Sequence, residues 1–228
     1  MKKRVVVLSL GGSLIVPNEI NLSFLRKFRE VILKNTKNYK FVIVCGGGSV
    51  ARKYINALAE EGKNYYIQSL AGISVTRLNA RFMSYFFGYD PKKGIPHDMK
   101  HVKNMLKKND VVFCGALRYA PNQTSDSAAV KLARFFKTYF INLTNVKGLY
   151  DKNPFEYKDA KFISKISIDD FYKMIMKLEY KPGMHAPVDT TAVKIIKKYK
   201  IKTYILGDDV QQLDSLLNGR EFIGTTIS

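Results

Sequence analysis

Short apolar runs alternate along the chain with longer stretches in which apolar residues recur at helical spacing. The short runs predict buried strands at 5–10, 41–45, 111–114, 139–144, 203–206 and 224–227. The longer, amphipathic stretches predict helices at 22–33, 50–58, 71–87, 99–107, 127–136, 168–178, 190–198 and 210–217. Because strands and helices alternate, we expect an α/β fold with right-handed crossovers and a mostly parallel sheet.

Two of the predicted strands run directly into glycine. Strand 5–10 is followed by the Gly-Gly-Ser turn at 11–13, and strand 41–45 by the three glycines at 46–48. Ser49 is the predicted N-cap of the helix that follows the second turn. A strand, a glycine turn and a helix in series bring bare backbone N–H groups and a positive helix end to a phosphate. A single such turn is explained equally well without a ligand, but two predict that two anionic groups meet at one edge of the sheet.

The glycine turns match no common nucleotide-binding pattern. Neither the GxxxxGK[ST] loop nor a GxGxxG turn with its later acidic residue occurs in the chain. A side chain at Gly47 or Gly48 is expected to hold an anion away from the backbone donors while leaving the fold largely intact. Arg52, one turn into the next helix, could add a charged fork over the same anion.

Two further helix starts carry acidic residues. Thr124 or Ser125 can cap the helix at 127–136, with Asp126 in its first turn, and Asp189 can cap the helix at 190–198. Capping alone explains these residues, and a catalytic role for Asp126 and Asp189 remains the alternative. Arg77 and Arg81, spaced i, i+4 on the predicted helix 71–87, are consistent with a solvated helix face.

Length and composition fit one compact domain. The chain has 228 residues, of which 46% are hydrophobic. No stretch approaches the roughly 20 apolar residues of a membrane span, and the start of the chain lacks the long apolar region of a signal peptide. Cys45 and Cys114 each end an apolar run and are expected to be buried thiols in a reducing compartment. These features predict a cytoplasmic protein.

The formal net charge is +19, with 38 Lys and Arg against 19 Asp and Glu. Such a surplus is typical of nucleic-acid-binding proteins. However, the charges are spread along the chain without a long basic block, so nucleic acid is not predicted as the main ligand. Attraction of anionic nucleotides explains the charge more simply, and we expect only weak, salt-sensitive, sequence-independent nucleic-acid binding.

Five segments, taken together and in order, resemble the amino acid kinase superfamily, and within it the archaeal-type uridylate (UMP) kinases. They are GGSLIVP at 11–17, GGGSVARKYI at 46–55, GISVTRLNA at 72–80, TSDSAAVKLA at 124–133 and LTNVKGLYDKNP at 143–154. The resemblance implies a three-layer αβα sandwich, formed by one domain at 1–228 with an acceptor-side lobe at about 1–137 and an ATP-side lobe at about 138–228. It implies transfer of the γ-phosphoryl group of Mg²⁺-ATP to UMP, in pyrimidine nucleotide biosynthesis, by a homo-oligomer, usually a hexamer.

The resemblance also assigns site residues. The ATP-binding set would be Gly12, Ser13, Gly48, Arg52, Thr144, Asn145, Tyr150 and Asn153. The UMP-binding set would be Gly47, Ser69, Thr124, Ser125 and Asp126. The catalytic set would be Arg52, Asp126 and Asp189, and no side chain is predicted as a direct metal ligand.

Several residues depart from the family pattern. Ser9 replaces a lysine that many members carry before the first glycine turn, and Ser69 replaces an aspartate that binds the UMP ribose. Asn122 lies in a longer loop where glycine is usual, and Lys147 and Asn153 replace aspartates. These departures bear on acceptor affinity and specificity more than on the fold. Two alternatives therefore stay open: another small-molecule kinase of this fold, and a non-catalytic nucleotide-binding or storage assembly.

Overall fold

The computed structural model describes residues 3–120, 123–178 and 188–228. Its strands are β1 (Arg4–Leu10), β2 (Tyr39–Cys45), β3 (Val111–Cys114), β4 (Phe140–Leu143), β5 (Leu149–Tyr150), β6 (Phe162–Ile163), β7 (Lys165–Ile166), β8 (Thr203–Leu206) and β9 (Thr225–Ile227). Seven of them form one sheet in the order β3-β2-β1-β4-β8-β9-β7, and β5 pairs with β6 in a small hairpin. Within the sheet only β8 and β9 pair antiparallel.

Helices cover both faces of this sheet. In the described ranges they are α1 (Gly12–Ile15), α2 (Leu22–Asn35), α3 (Gly48–Glu60), α4 (Tyr65–Phe86), α5 (Met99–Lys108), α6 (Ser125–Phe136), α7 (Ile168–Leu178), α8 (Thr190–Tyr199) and α9 (Val210–Leu217). One core cluster joins the sheet to α1, α2, α4 and α9, and a second joins it to α5, α6, α7 and α8. Alternate residues of β1 belong to the two clusters, as the two-residue period of a strand requires. The three-layer αβα architecture expected from the sequence is confirmed.

The strand order places the glycine turns at one position in the fold. Strand β1 lies between β2 and β4, and the sheet grows outward from it in both directions. The Gly46 N–H donates to the carbonyl of Leu10 at 2.9 Å, and the Gly11 N–H donates to the carbonyl of Leu143 at 3.0 Å. The carboxyl ends of β1, β2 and β4 therefore meet at a switch in strand order, which is where open α/β sheets bind ligands.

Some element boundaries differ from the sequence-based expectation. Helix α4 begins at Tyr65 rather than at residue 71, because the Asn64 side chain caps it by accepting from the N–H of Ile67. Helix α1 and strands β5 to β7 were not predicted, since elements of two to four residues carry no periodicity. Asn122 and residues 179–187 lie outside the described residues. No helix in the described ranges is long and apolar enough to span a membrane.

Candidate active site

The two glycine turns are packed against each other, backbone to backbone. A Cβ at Gly12 would lie 2.2 Å from the backbone nitrogen of Gly48, and a Cβ at Gly48 would lie 2.6 Å from the carbonyl carbon of Gly12. Gly48 also has a φ of +60°, in the left-handed region that favours glycine. A Cβ at Gly47 would meet the Ala51 side chain at 2.4 Å. The expectation that side chains at Gly47 and Gly48 leave the fold intact is therefore wrong, because protein atoms already fill that space.

Both turns present helix ends without a side-chain cap. The N-cap positions of α1 and α3 are Gly11 and Gly47, and neither helix receives a capping hydrogen bond from a side chain. The prediction that Ser49 caps α3 is wrong, because Ser49 lies inside the helix and its hydroxyl donates to the carbonyl of Pro17 at 2.8 Å. The first N–H groups of both helices have no intrahelical partner. Two adjacent helix starts thus offer backbone donors and positive dipole ends to anions.

Helix α4 supports the second glycine turn and the end of β3. The Asn79 amide donates to the carbonyl of Gly46 at 2.8 Å, and the Thr76 hydroxyl accepts from the N–H of Ala116 at 2.9 Å. Arg77 donates to the carbonyls of Ala116 and Leu117, so its reading as part of a solvated face is wrong. Sequence reasoning missed Thr76 and Asn79 as positioning residues. The available signal was two polar residues spaced i, i+3 on the buried face of a helix.

The starts of α6 and α8 are joined by their capping residues. The Thr124 hydroxyl accepts from the N–H of Ser127 at 3.1 Å and donates to one carboxylate oxygen of Asp189 at 2.5 Å. The other oxygen of Asp189 accepts from the N–H of Ala192 at 3.0 Å. Thr124 and Asp189 are therefore confirmed as helix caps, and Ser125 is the first residue of α6. The shared hydrogen bond also brings two segments distant in sequence to one place.

Asp126 lies beneath this junction and contacts the central strand. The Ser9 hydroxyl donates to its carboxyl at 2.6 Å. Burial raises the pKa of Asp126, nearby Asp189 raises it further, and the Ser9 hydrogen bond only partly offsets both, so the pKa is about 7. Within the described ranges, neither Asp126 nor Asp189 forms an ion pair. Two neighbouring carboxylates without a cation form a site that a bound positive charge would stabilise.

The expected ATP-side residues are only partly brought to the glycine turns. Thr144 follows β4, and its Cα lies 3.8 Å from a Cβ built on Gly11. Asn145 is exposed beside it. The Tyr150 ring packs on Phe162 in the β5–β6 hairpin, and the Asn153 side chain bonds within its own turn. The structure shows no contact that joins Asn145, Tyr150 or Asn153 to the turns among the residues it describes.

Two further predicted residues, Arg52 and Ser69, lie on α3 and α4, the helices that pack against the second glycine turn. Arg52 is exposed on α3, and in the described part of the chain its side chain has no hydrogen bond or ion pair. It is therefore available to a ligand at the start of that helix. Ser69 lies on α4, half-buried, seven residues before Thr76. It shares a helix face with Thr76, which lies against Gly47, at a separation of about 10 Å along the axis.

The comparisons with known proteins agree with this arrangement. A sequence model described as the amino acid kinase family matches residues 4–207. The chain belongs to the amino acid kinase family. It is 33% identical to the uridylate kinase of Archaeoglobus fulgidus over 224 residues, which cover 98% of this chain and 99% of that one. The uridylate kinase of Thermococcus kodakarensis is 30% identical over 217 residues, covering 94% and 96% of the two chains.

Two solved structures match this chain over essentially its whole length. The crystal structure of the Archaeoglobus fulgidus uridylate kinase matches with a TM-score of 0.82 at 30% identity, covering 99% of this chain and 100% of the other. A structure of isopentenyl phosphate kinase matches with a TM-score of 0.66 at 18% identity and covers both chains fully. The second likeness shows the shared fold alone.

The raised pKa of Asp126 predicts that the folding stability of this family member depends on pH. Between pH 3.8, the ordinary pKa of the group, and pH of about 7, the folded state holds a proton that the unfolded state has released. The free energy of unfolding therefore falls as pH rises through this window. We expect Asp126→Asn to remove this fall, as measured by urea denaturation at several pH values. Asp208→Asn, at an exposed carboxylate, is the control, and an unchanged slope in Asp126→Asn would contradict the assignment.

Proposed function

We propose that the protein transfers the γ-phosphoryl group of ATP to UMP, giving ADP and UDP. The observation that carries the proposal is the backbone contact between two uncapped glycine turns at the switch in strand order. Adjacent donors of this kind can hold two phosphate groups next to each other. The full-length similarity to relatives named uridylate kinase supports UMP as the acceptor.

The chemistry is an in-line displacement. An oxygen of the UMP phosphate attacks the γ-phosphorus, the bond from that phosphorus to the β,γ-bridging oxygen breaks, and ADP leaves with the electron pair. No covalent enzyme intermediate is required. The protein aligns the two anions and stabilises charge on the transferring group. In the proposed assignment Gly12, Ser13, Gly48 and Arg52 hold ATP phosphates, and Gly47 lies on the UMP side.

The residues at the junction of α6 and α8 fit a magnesium nucleotide. Mg²⁺ is usually held by one or two carboxylates, several waters and substrate phosphates. Among the described residues no group of three or more His, Cys, Asp or Glu could form a cage made only of protein. Asp126 and Asp189, which form no ion pair within the described ranges, are two carboxylates that would orient metal-bound water. Magnesium bound there would neutralise negative charge on the phosphates.

The wider expectations are part of the same proposal. Thr144, Asn145, Tyr150 and Asn153 hold the nucleoside of ATP, while Ser69, Thr124 and Ser125 hold UMP. The acceptor-side lobe corresponds to about 1–137 and the ATP-side lobe to about 138–228. We propose a homohexamer that acts in pyrimidine nucleotide biosynthesis in the cytoplasm. The two cysteines are free and buried, which is consistent with a reducing compartment.

A coupled assay of ADP release tests the function. We expect turnover with UMP and much less with CMP, AMP, GMP or small phosphorylated metabolites such as isopentenyl phosphate. Preference for a phosphorylated metabolite would favour a different kinase of this fold. Binding of ATP without turnover on any acceptor would favour a storage or binding assembly. Light scattering after size exclusion gives the number of subunits in the same preparation.

Ser69 gives a prediction on the acceptor side. If it occupies the position of a ribose-binding aspartate, Ser69→Asp restores a charged hydrogen bond, which is stronger than a neutral one by about 1–1.5 kcal/mol. We expect the KM for UMP to fall about tenfold while kcat changes little, and discrimination against deoxy-UMP to increase. Ser74→Asp, on the exposed face of the same helix, is the control. A higher KM for UMP in Ser69→Asp would show that the residue or the acceptor is misassigned.

A further inference from the structure

A large basic groove lies at the opposite end of the sheet from the glycine turns. It is about 1260 Å³ in volume and is lined by the residues that precede or begin β1, β2, β4 and β8 and by the ends of α5, α6 and α8. Because these strands are parallel, their amino ends meet at this edge and their carboxyl ends at the other. We call this feature the basal groove. It is separate from the proposed site of phosphoryl transfer.

Nine of the residues that line the basal groove are Lys or Arg, and none is Asp or Glu. They come from five separate segments, at 3–4, 40, 103–107, 134–137 and 200–202. The sequence shows these charges as scattered, and the parallel sheet gathers them. Nine of the 38 basic residues, whose dispersion argued against a nucleic-acid site in the sequence, are thus brought together in the fold.

Local structure accounts for only part of this charge. Basic residues at the C-terminal ends of helices stabilise the helix dipole, and three helices end here, each with about half a negative charge. Asp110 pairs with Lys3 and Lys40, and Asp169 pairs with Lys200. When the three helix ends and the two carboxylates are set against the nine cations, a surplus of roughly five positive charges remains in the groove. A role in helix termination is therefore insufficient to explain the groove.

The groove also contains apolar and aromatic surface between its cations. Arg134 stacks on the ring of Tyr199 at 3.5 Å, and Tyr199 keeps 36% of its surface exposed. Lys107, Lys137 and Lys202 are exposed and have no carboxylate partner in the described ranges. Cations spaced along a groove can follow a phosphate backbone, and apolar and aromatic surface between them can pack against unstacked bases.

We propose that the basal groove binds single-stranded nucleic acid through its phosphates, without reading sequence. A mononucleotide would require cations that converge on one point, whereas these cations line the groove from five segments. A duplex keeps its bases stacked inside and would leave the aromatic and apolar surface unused. This binding is independent of the proposed kinase function and gives part of the positive surplus of the chain a location.

The test measures fluorescence anisotropy of a labelled single-stranded RNA of about 20 nucleotides, between about 50 and 200 mM salt. We expect Lys107→Glu, Lys137→Glu and Lys202→Glu, combined in one variant, to weaken binding at least about tenfold. The slope of log affinity against log salt should become shallower by about 2, as loss of three phosphate contacts requires. The control combines Lys27→Glu, Lys63→Glu and Lys158→Glu, which changes net charge equally on other surfaces. We expect that control to weaken binding less than about threefold.

Both triple variants should stay folded at the assay temperature and retain ADP release, since neither changes the proposed active site. The groove variant loses only the small helix-dipole contribution of Lys107 and Lys137. Equal weakening by the two variants would overturn the proposal, because overall charge would then explain the binding. Equal competition by a duplex of the same length, or displacement by micromolar UTP, would overturn the single-strand assignment. Displacement by saturating ATP and UMP together would place the RNA at the glycine turns and would also overturn it.

Discussion

Gly48→Ala is expected to lower the free energy of unfolding by about 3 kcal/mol or more, whereas Gly62→Ala lowers it by about 1 kcal/mol. Both glycines have a positive φ, of +60° and +67°, so an added Cβ strains both backbones similarly. They differ in their surroundings, since a Cβ at Gly62 meets nothing within 4 Å and one at Gly48 meets the backbone of Gly12. Overpacking against backbone adds its own cost, because backbone cannot rotate away as a side chain can.

Gly12→Ala completes the comparison. Gly12 is not among the glycines with positive φ, yet its Cβ would lie 2.2 Å from the nitrogen of Gly48. Gly12→Ala thus tests a steric contact without backbone strain, and Gly62→Ala tests backbone strain without a contact. Gly48→Ala combines the two. Urea denaturation gives the three stabilities, and calorimetric titration with ATP gives the binding of whatever fraction folds. If Gly48→Ala lowers the free energy of unfolding no more than Gly62→Ala does, the two turns can move apart at little energetic cost and do not form a rigid phosphate-binding site.

Much of the architecture was predictable because its signals are local. Short apolar runs identified the central strands, and those of β1, β2, β3 and β8 end directly at glycine. The capping roles of Thr124 and Asp189 depend only on the few residues that follow each. The same local rule failed at Ser49. Serine is a favoured N-cap, but the turn after β2 is so tight that α3 begins at Gly48 and its serine lies one residue inside the helix.

The contacts that define the candidate site are not local, and sequence could not supply them. Gly12 and Gly48 touch because β1 and β2 are parallel neighbours in one register, with Leu10 opposite Cys45. Ser9 reaches Asp126 because α6 crosses the face of β1. The charges of the basal groove meet for the same reason at the other end of the strands. Local patterns therefore predict which residues end each strand, and the sheet determines which of them become neighbours.

Asp189→Asn is expected to lower kcat about 100-fold while the KM values for ATP and UMP stay within about threefold. The substitution preserves the shape of the side chain and its capping role, because asparagine accepts from a helix N–H as well as aspartate does. The hydrogen bond from Ala192 is retained, and the new amide can donate to the Thr124 hydroxyl. The substitution removes a negative charge beside Asp126. This loss should affect kcat more than substrate binding, because charge redistributes during phosphoryl transfer.

Two measurements separate this role from a structural one. Asp209→Asn makes the same change at the N-cap of α9, where the Asp209 side chain accepts only from Gln211 and Gln212 among the described residues, so it should leave kcat unchanged. Because Asp189 raises the pKa of Asp126, Asp189→Asn should also lower that pKa, and the pH window in which stability falls should narrow from its upper end. A cap without electrostatic influence would move neither quantity. Wild-type turnover in Asp189→Asn would show that the carboxylate only caps the start of α8. Arg52 and the glycine turns would then be sufficient for phosphoryl transfer.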